Sequence, residues 1–523
     1  MNDPSNRYFV DRGSRGGANR GDAYYQRQIE CLSERCWKIY ENQRGNHEQV
    51  KASLYAGSLG PCCYFRYRLA TSPCFHELHF SGKEKAPENY AEMAKKSCCT
   101  SPSQTERNYQ LSTSSDVKKA KMDMLLDALS SANSVLHQCK INDKRQRVSF
   151  LEGEWVGATA LKIAIVNALI TLLGDEDEMQ REMDDSKNDL IRFGENNVAS
   201  NFPLHECEVL YGRAGYLKAI KFVRNELRDV NFGGTVSREI VRQIWEEGKR
   251  GAIEYRRLND SGDEQSLPLV WKWHEKLYLG AAHGIVGILH TLLDFCGELS
   301  AVDPNALEEV ESTIIKLDNF CFKSGNLQSS IKHGNSVNST RSDRLVQFCH
   351  GAPGHVLLLL QLFRTKQQLQ NLESRSKEKT KSISITQSLS NDNLSRAQQI
   401  AKCVILPRGL LRKGVGLCHG ISGNAYSFIS IHQTTMLGLG PGLGIQKATF
   451  NTATQKERNE SDIKWIEYAY VYANFALDHL DELEDIPDRP YSMFEGLVGL
   501  ICLLLGILEN GAGVNHNFPC FEF

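Results

Sequence analysis

Two short segments of this chain carry reactive side chains in the same order, Cys349-His350-Gly351 and Cys418-His419-Gly420, 69 residues apart. A third segment, His283-Gly284, sets an imidazole at the corresponding place. Cysteine thiolate and neutral imidazole converging on one spot favour Zn²⁺. Neighbouring residues at a helix start point about 100° apart, so a Cys and the His beside it rarely bind one ion together. The expected set is two Cys and one His, with the fourth tetrahedral position open. That is the pattern of a catalytic zinc rather than a structural one. Such a site would hold an incoming thiol as its thiolate, against an unperturbed pKa of about 8.5.

These segments belong to a longer repeat. A Gly-x-x-Gly step followed by an apolar run starts at Gly57, Gly212, Gly284, Gly351, Gly420 and Gly496, and a variant with one extra residue starts at Gly153. The first glycines are separated by 96, 59, 72, 67, 69 and 76 residues, a near-regular period that a chance GxxG would not give. Runs such as Val356–Phe363 and Leu500–Leu505 are apolar nearly all round, as helices buried on both sides would be. Between them, Leu307, Val310, Ile314, Leu317 and Cys321 recur at helical spacing, as do Ile463, Ile466, Tyr470, Ala473, Leu477 and Leu480. The pattern predicts an all-α protein, a single α/α toroid (a double-layered α-barrel) of seven helical hairpins. Each hairpin has a glycine-started inner helix and an amphipathic outer one. Equivalent positions then face one mouth, which is how two Cys and up to three His would meet. Polar stretches near 81–115, 364–399 and 437–461 read as insertions in this domain and as candidate segments for signalling partners.

Composition bounds the function. The chain has 523 residues, 61 Lys+Arg against 63 Asp+Glu and a formal net charge of −2. That balance argues against nucleic acid held by bulk electrostatics. The first residues show no apolar signal-like run. The longest uncharged apolar run, Gly496–Leu508, is shorter than the about 20 residues of a transmembrane span. The expectation is a cytoplasmic protein, peripheral membrane or nuclear placement being the alternatives, whose 16 cysteines are mostly reduced thiols.

Five segments together resemble the LanC-like family, eukaryotic relatives of the bacterial lanthionine synthetase C cyclases. They are Leu210-Tyr-Gly-Arg-Ala-Gly-Tyr-Leu217, Gly280–Ile288, Phe348–Gly354, Arg412–Tyr426 and Pro487–Gly496, and the ending Asn517–Phe523 also fits. The resemblance implies zinc bound by Cys349, Cys418 and His419, with His350 a non-ligand. It implies glutathione as the thiol and dehydroalanine or dehydrobutyrine in a peptide or protein as the electrophile, joined as a thioether by a transferase. His283 would then act as general acid and Glu208 would orient it or share its proton. Lys413 and Arg7 match positions linked to glutathione, and Arg213 is a further candidate from its expected place at the mouth. The family also includes members assigned to signalling, abscisic acid responses among them, which makes a zinc- and glutathione-binding scaffold the alternative. Two positions depart from the pattern: Phe348 replaces a usual Trp, and Asp485 stands where relatives carry an Arg, with Arg489 nearby.

Overall fold

The computed structural model describes residues 9, 19–45, 53–57, 59–77, 114–139, 147–174, 177–259, 266–331, 343–375, 383–438 and 460–523. Among these, the helices longer than eight residues alternate between two layers. The outer ones are α1 (Asp22–Gly45), α3 (Ser114–Gln138), α5 (Asp177–Phe193), α7 (Gly234–Asn259), α9 (Ala306–Lys316), α11 (Ile383–Ile400) and α13 (Glu460–Asp478). The inner ones are α2 (Leu59–Thr71), α4 (Glu154–Leu173), α6 (Arg213–Leu227), α8 (Ile285–Asp294), α10 (Ala352–Arg375), α12 (Ile421–Gly438) and α14 (Leu497–Gly511). Each inner helix packs on the next, α2 on α4 through to α14, and α14 returns to α2, so the inner layer closes on itself. The outer helices cover it: α3 lies against α2 and α4, α11 against α10 and α12, and α13 against α12 and α14. The one sheet among the described residues is a short antiparallel ribbon pairing Leu277 with Ile331 and Tyr278 with Ser330.

Composition follows position. In α14 every residue from Leu497 to Glu509 is buried, whereas α5 buries only Met183, Ser186, Leu190 and Phe193, one stripe at spacings of three and four. By length and composition α4 would also be long and apolar enough to cross a membrane. Here its apolar surface is taken up by α2, α3, α5 and α6.

The glycine steps have a specific use. The first N–H groups of a helix have no intrahelical partner, and these inner helices begin without a side-chain cap. The loop before each helix supplies the acceptors instead, from a carbonyl seven residues back. Arg213 N–H donates to Glu206 O (3.0 Å), Val286 to Leu279 (3.1 Å), Ile421 to Gly414 (3.2 Å) and Leu497 to Pro490 (2.7 Å). The loop must therefore lie against the first helical turn. A Cβ on Gly423 would overlap the Leu417 carbonyl, and one on Gly287 the Ala281 carbonyl. The repeat is a backbone cap that leaves room only for hydrogen at its second glycine.

The interior is filled from the far end of the sequence. Lys218, fully buried on α6, donates to Asp294 Oδ2 (2.7 Å) and the Phe521 carbonyl (2.7 Å), and bonds His290 Nδ1 (2.9 Å). Phe518 stacks on Phe348 at 4.4 Å, directly beneath Cys349. Glu522 joins Arg364 (2.5 Å) and Ser430 (2.7 Å).

The stretch 364–399, expected as an insertion, is largely helix: α10 runs to Arg375 and α11 covers Ile383–Ile400. Its polarity is that of an outer helix with one narrow packed stripe, Leu394, Ala397 and Ile400. Most of the other two expected insertions, up to residue 113 and across 439–459, lies outside the described residues.

Candidate metal and acid–base site

The loops that cap the inner helices are laced to one another at one end of the helical ring. Cys349 N–H donates to the Cys418 carbonyl (3.2 Å), Cys418 to Phe494 (2.6 Å) and Phe494 to Tyr55 (3.4 Å). All four residues stand two places before the first glycine of their repeat. The lacing brings the residues at this position, and those one place later, to a common floor.

On that floor the Cys349 and Cys418 sulfurs and a His419 ring nitrogen lie within 4.8 Å of one another. Both cysteines are buried and His419 is half-buried. The hydrogen bond from Cys418, against the opposing effect of burial and with help from His419 and His350, holds the Cys349 thiol well below its usual range. Burial and the Cys349 charge push Cys418 well above it. A divalent cation among these atoms would let both sulfurs ionise, because a metal competes directly with the proton. Gln347 Nε2 donates to Cys349 Sγ (3.2 Å), and the Tyr55 hydroxyl donates to Cys418 Sγ (2.6 Å) while its ring stacks on Phe494 at 4.7 Å. Two sulfurs and one imidazole, each sulfur with its own hydrogen-bond donor, are a donor set suited to zinc with a place to spare.

Beside this set stands a carboxylate–imidazole pair. His283 Nδ1 lies 2.7 Å from Glu208 Oε2. Glu208 is fully buried and also accepts the backbone N–H groups of Leu210 (2.9 Å) and Tyr211. Burial raises the Glu208 carboxyl above its usual range, and the His283 hydrogen bond opposes that rise. The imidazole lies flat on Trp273, 4.0 Å between ring centroids with the planes 3° apart, and faces Tyr211 at 5.6 Å. With Nδ1 engaged by Glu208 and one face covered by Trp273, Nε2 is the ring nitrogen left to exchange a proton. The Tyr278 ring links the two halves of the floor, 6.2 Å from His283 and 5.9 Å from His350.

Cys349, Cys418 and His419 thus come together, as do His283 and Glu208. His350, one residue from Cys349, is not in the three-ligand set. Arg213 does not reach the mouth. It is fully buried at the start of α6, and its guanidinium is spent on Gln243 Oε1 (2.8 Å) and the carbonyls of Phe202 (2.7 Å) and Pro203. It braces the loop ahead of Glu208, and a fully buried guanidinium engaged through all three nitrogens is not presented to a substrate carboxylate. Lys413 is half-buried, five residues ahead of Cys418. Arg7 lies outside the described residues. Asp485 is exposed, and Arg489 gives one donor to the Ala56 carbonyl (2.9 Å), bracing the Tyr55 loop. Sequence reasoning missed Tyr55, Gln347, Trp273 and Tyr211. Tyr55 had a signal, since it occupies the register position of the two cysteines, but the position alone does not say that a tyrosine there reaches sulfur.

Comparison with known proteins identifies the family. The family model described as lanthionine synthetase C-like protein matches residues 109–522. A zebrafish (Danio rerio) relative named glutathione S-transferase LANCL1 is 28% identical over 375 residues, 72% of this chain and 74% of its own length. An Arabidopsis thaliana relative, LanC-like protein GCL1, is 26% identical over 323 residues, 60% of this chain and 57% of its own length. With the family model covering most of the chain and every glycine-led helix from α4 onward, the chain belongs to the lanthionine synthetase C-like family.

Proposed function

We propose that this protein adds the thiol of glutathione to dehydroalanine or dehydrobutyrine residues in peptides or proteins, as a zinc-dependent transferase. The observation that carries the reading is two buried sulfurs and an imidazole gathered within 4.8 Å beside an imidazole locked to a buried carboxylate at 2.7 Å. The zebrafish relative's name, glutathione S-transferase, supports the choice of thiol.

Cys349, Cys418 and His419 would hold Zn²⁺. When bound, the ion supplies Lewis-acid activation of a thiol, keeping it deprotonated near neutral pH. The protein's own side chains do the rest. Lys413, and Arg7 where the chain brings it, offer cations for the carboxylates of glutathione. In the reaction a bond forms between the glutathione sulfur and the β-carbon of the dehydroamino acid. The carbon–carbon π bond breaks, its electrons move toward the α-carbon and carbonyl, and the α-carbon takes a proton. His283 delivers that proton from Nε2. Glu208 fixes the ring through Nδ1 and stabilises the imidazolium form, as an orienting carboxylate does in other His-based acids. The stacking of Trp273 on the imidazole opposes its rotation.

The test is formation of the thioether on a dehydroalanine peptide, followed by mass spectrometry. His283→Ala is expected to lower kcat/KM by about 10²- to 10⁴-fold, the usual worth of a general acid, with zinc content unchanged. Glu208→Gln should lower kcat and leave KM for glutathione in place. Unimpaired turnover in His283→Ala would remove His283 from the reaction.

A further inference from the structure

A second group of ligand-type side chains lies away from the floor just described. Asp318, Cys321 and His355 each place one ligand atom within 4.8 Å of the others. Their convergence has a clear local cause. Leu317–Phe320 is a 3₁₀ turn at the end of α9, in which residues three apart eclipse one another. Asp318 and Cys321 therefore project to the same side, and the Cys321 N–H to Asp318 carbonyl bond (3.1 Å) fixes the turn. His355 reaches the same point from the first turn of the inner helix α10.

His355 is the unusual member. It is fully buried, yet neither ring nitrogen has a hydrogen-bond partner. An imidazole always presents at least one N–H donor or one lone pair, and leaving such groups dry and unpaired costs on the order of 1–3 kcal/mol each. Arg396 lies beside the group, near Cys321 and His355 as well as Asp318. Arg396 on α11 holds one oxygen of the Asp318 carboxylate, Oδ1, through Nε (3.2 Å) and Nη2 (3.1 Å). The second oxygen carries no such bond to Arg396. Asp318 is exposed and Cys321 half-buried, which leaves a path for an ion from solvent.

We propose that Asp318, Cys321 and His355 form a second binding site for a thiophilic divalent cation of the Zn²⁺ class, clamping the outer layer to the inner helix α10. One sulfur, one imidazole nitrogen and one carboxylate oxygen are a mixed set that suits Zn²⁺, with water as the fourth ligand. On binding, the Cys321 thiol loses its proton to solvent and the ion satisfies one His355 nitrogen. The clamp sits on the helix whose preceding loop carries Cys349, six residues before His355. It does not rest on the catalytic reading above.

The experiment is a metal count per chain on full-length protein saturated with Zn²⁺ and freed of loose ion by dialysis, with cobalt substitution as a second readout. Wild type is expected to hold two equivalents. Cys321→Ser and His355→Ala should each hold one and still add glutathione to a dehydroalanine peptide. Cys418→Ala should hold the other one and lose that activity. In the cobalt-loaded Cys418→Ala protein, the thiolate-to-cobalt absorption that remains should disappear on adding Cys321→Ser. One equivalent in wild type, lost only through Cys418→Ala, overturns the proposal. One equivalent lost only through Cys321→Ser supports it while overturning the first site. Should His355→Ala fail to fold by circular dichroism, Cys321→Ser, on a half-buried turn, decides the outcome alone.

Discussion

At the sulfur of Cys418 three influences meet: burial, the neighbouring Cys349 charge and the Tyr55 hydroxyl. The first two oppose ionisation and the third favours it. Tyr55 would thus tune one proposed ligand from outside the proposed set, which is how supporting hydrogen bonds commonly set metal affinity. Tyr55→Phe keeps the stacking on Phe494 and removes only the O–H···S bond. It should weaken zinc affinity by about 10- to 100-fold, measured by competition with a chelator, without loss of folded protein. An affinity equal to wild type would mean the hydroxyl has no influence on the sulfur. At this scale the sequence was informative where residue type carries the chemistry. Cys349, Cys418 and His283 announce themselves as thiols and imidazoles before glycines. Arg213 was misjudged because a cation beside a glycine step looks like a surface group. Only the fold shows that two carbonyls and Gln243 absorb its donors.

The helices owe their placement to the loops that cap them. Because each loop lies across the first turn of its inner helix, the second glycine of each step is a steric requirement. The clearest case is Gly423, where the obstacle is the Leu417 backbone, next to Cys418. Gly423→Ala must push that loop outward, at a cost of about 1–3 kcal/mol, as overpacking does. It should also lower zinc affinity, since Cys418 moves with Leu417. Thermal melting and metal titration of the same sample check both effects. A variant that melts like wild type would show that the loop has slack. The inner helices were legible because an all-round apolar run flanked by glycines has few other uses. The outer helix α11 was not, because a half-exposed helix with a polar sequence resembles a linker. Among its described side chains, the packed ones are Leu394, Ala397 and Ile400.

For the molecule as a whole, closure depends on buried charge as well as apolar packing. Lys218 with Asp294, and Arg68 with Glu509 and His516, tie inner helices to the segment that fills the interior. Burial alone would raise the Glu509 carboxyl, but His516 and Arg68 beside it pull it down to about 2. A carboxyl lowered in the folded state contributes stability above its unfolded pKa of about 4.3, and that contribution is lost as pH falls toward 2. Denaturant unfolding should therefore weaken steeply between pH about 4.3 and 2, and Glu509→Gln should be less stable at neutral pH with a shallower acid decline. An identical acid slope in the variant would assign the loss to other groups. None of these pairs was visible in the sequence, since partners such as Arg68 and Glu509 lie 441 residues apart. The alternation of layers, in contrast, followed from the repeat alone. The proposed role of Cys349, Cys418 and His419 is to bind a metal that the addition of glutathione requires. The most direct measurement compares zinc content and thioether formation on a dehydroalanine peptide in wild type and Cys418→Ala prepared side by side. The variant is expected to lack one zinc equivalent found in wild type and to form no adduct above the uncatalysed rate. Full adduct formation by a variant that has lost that zinc would contradict that role.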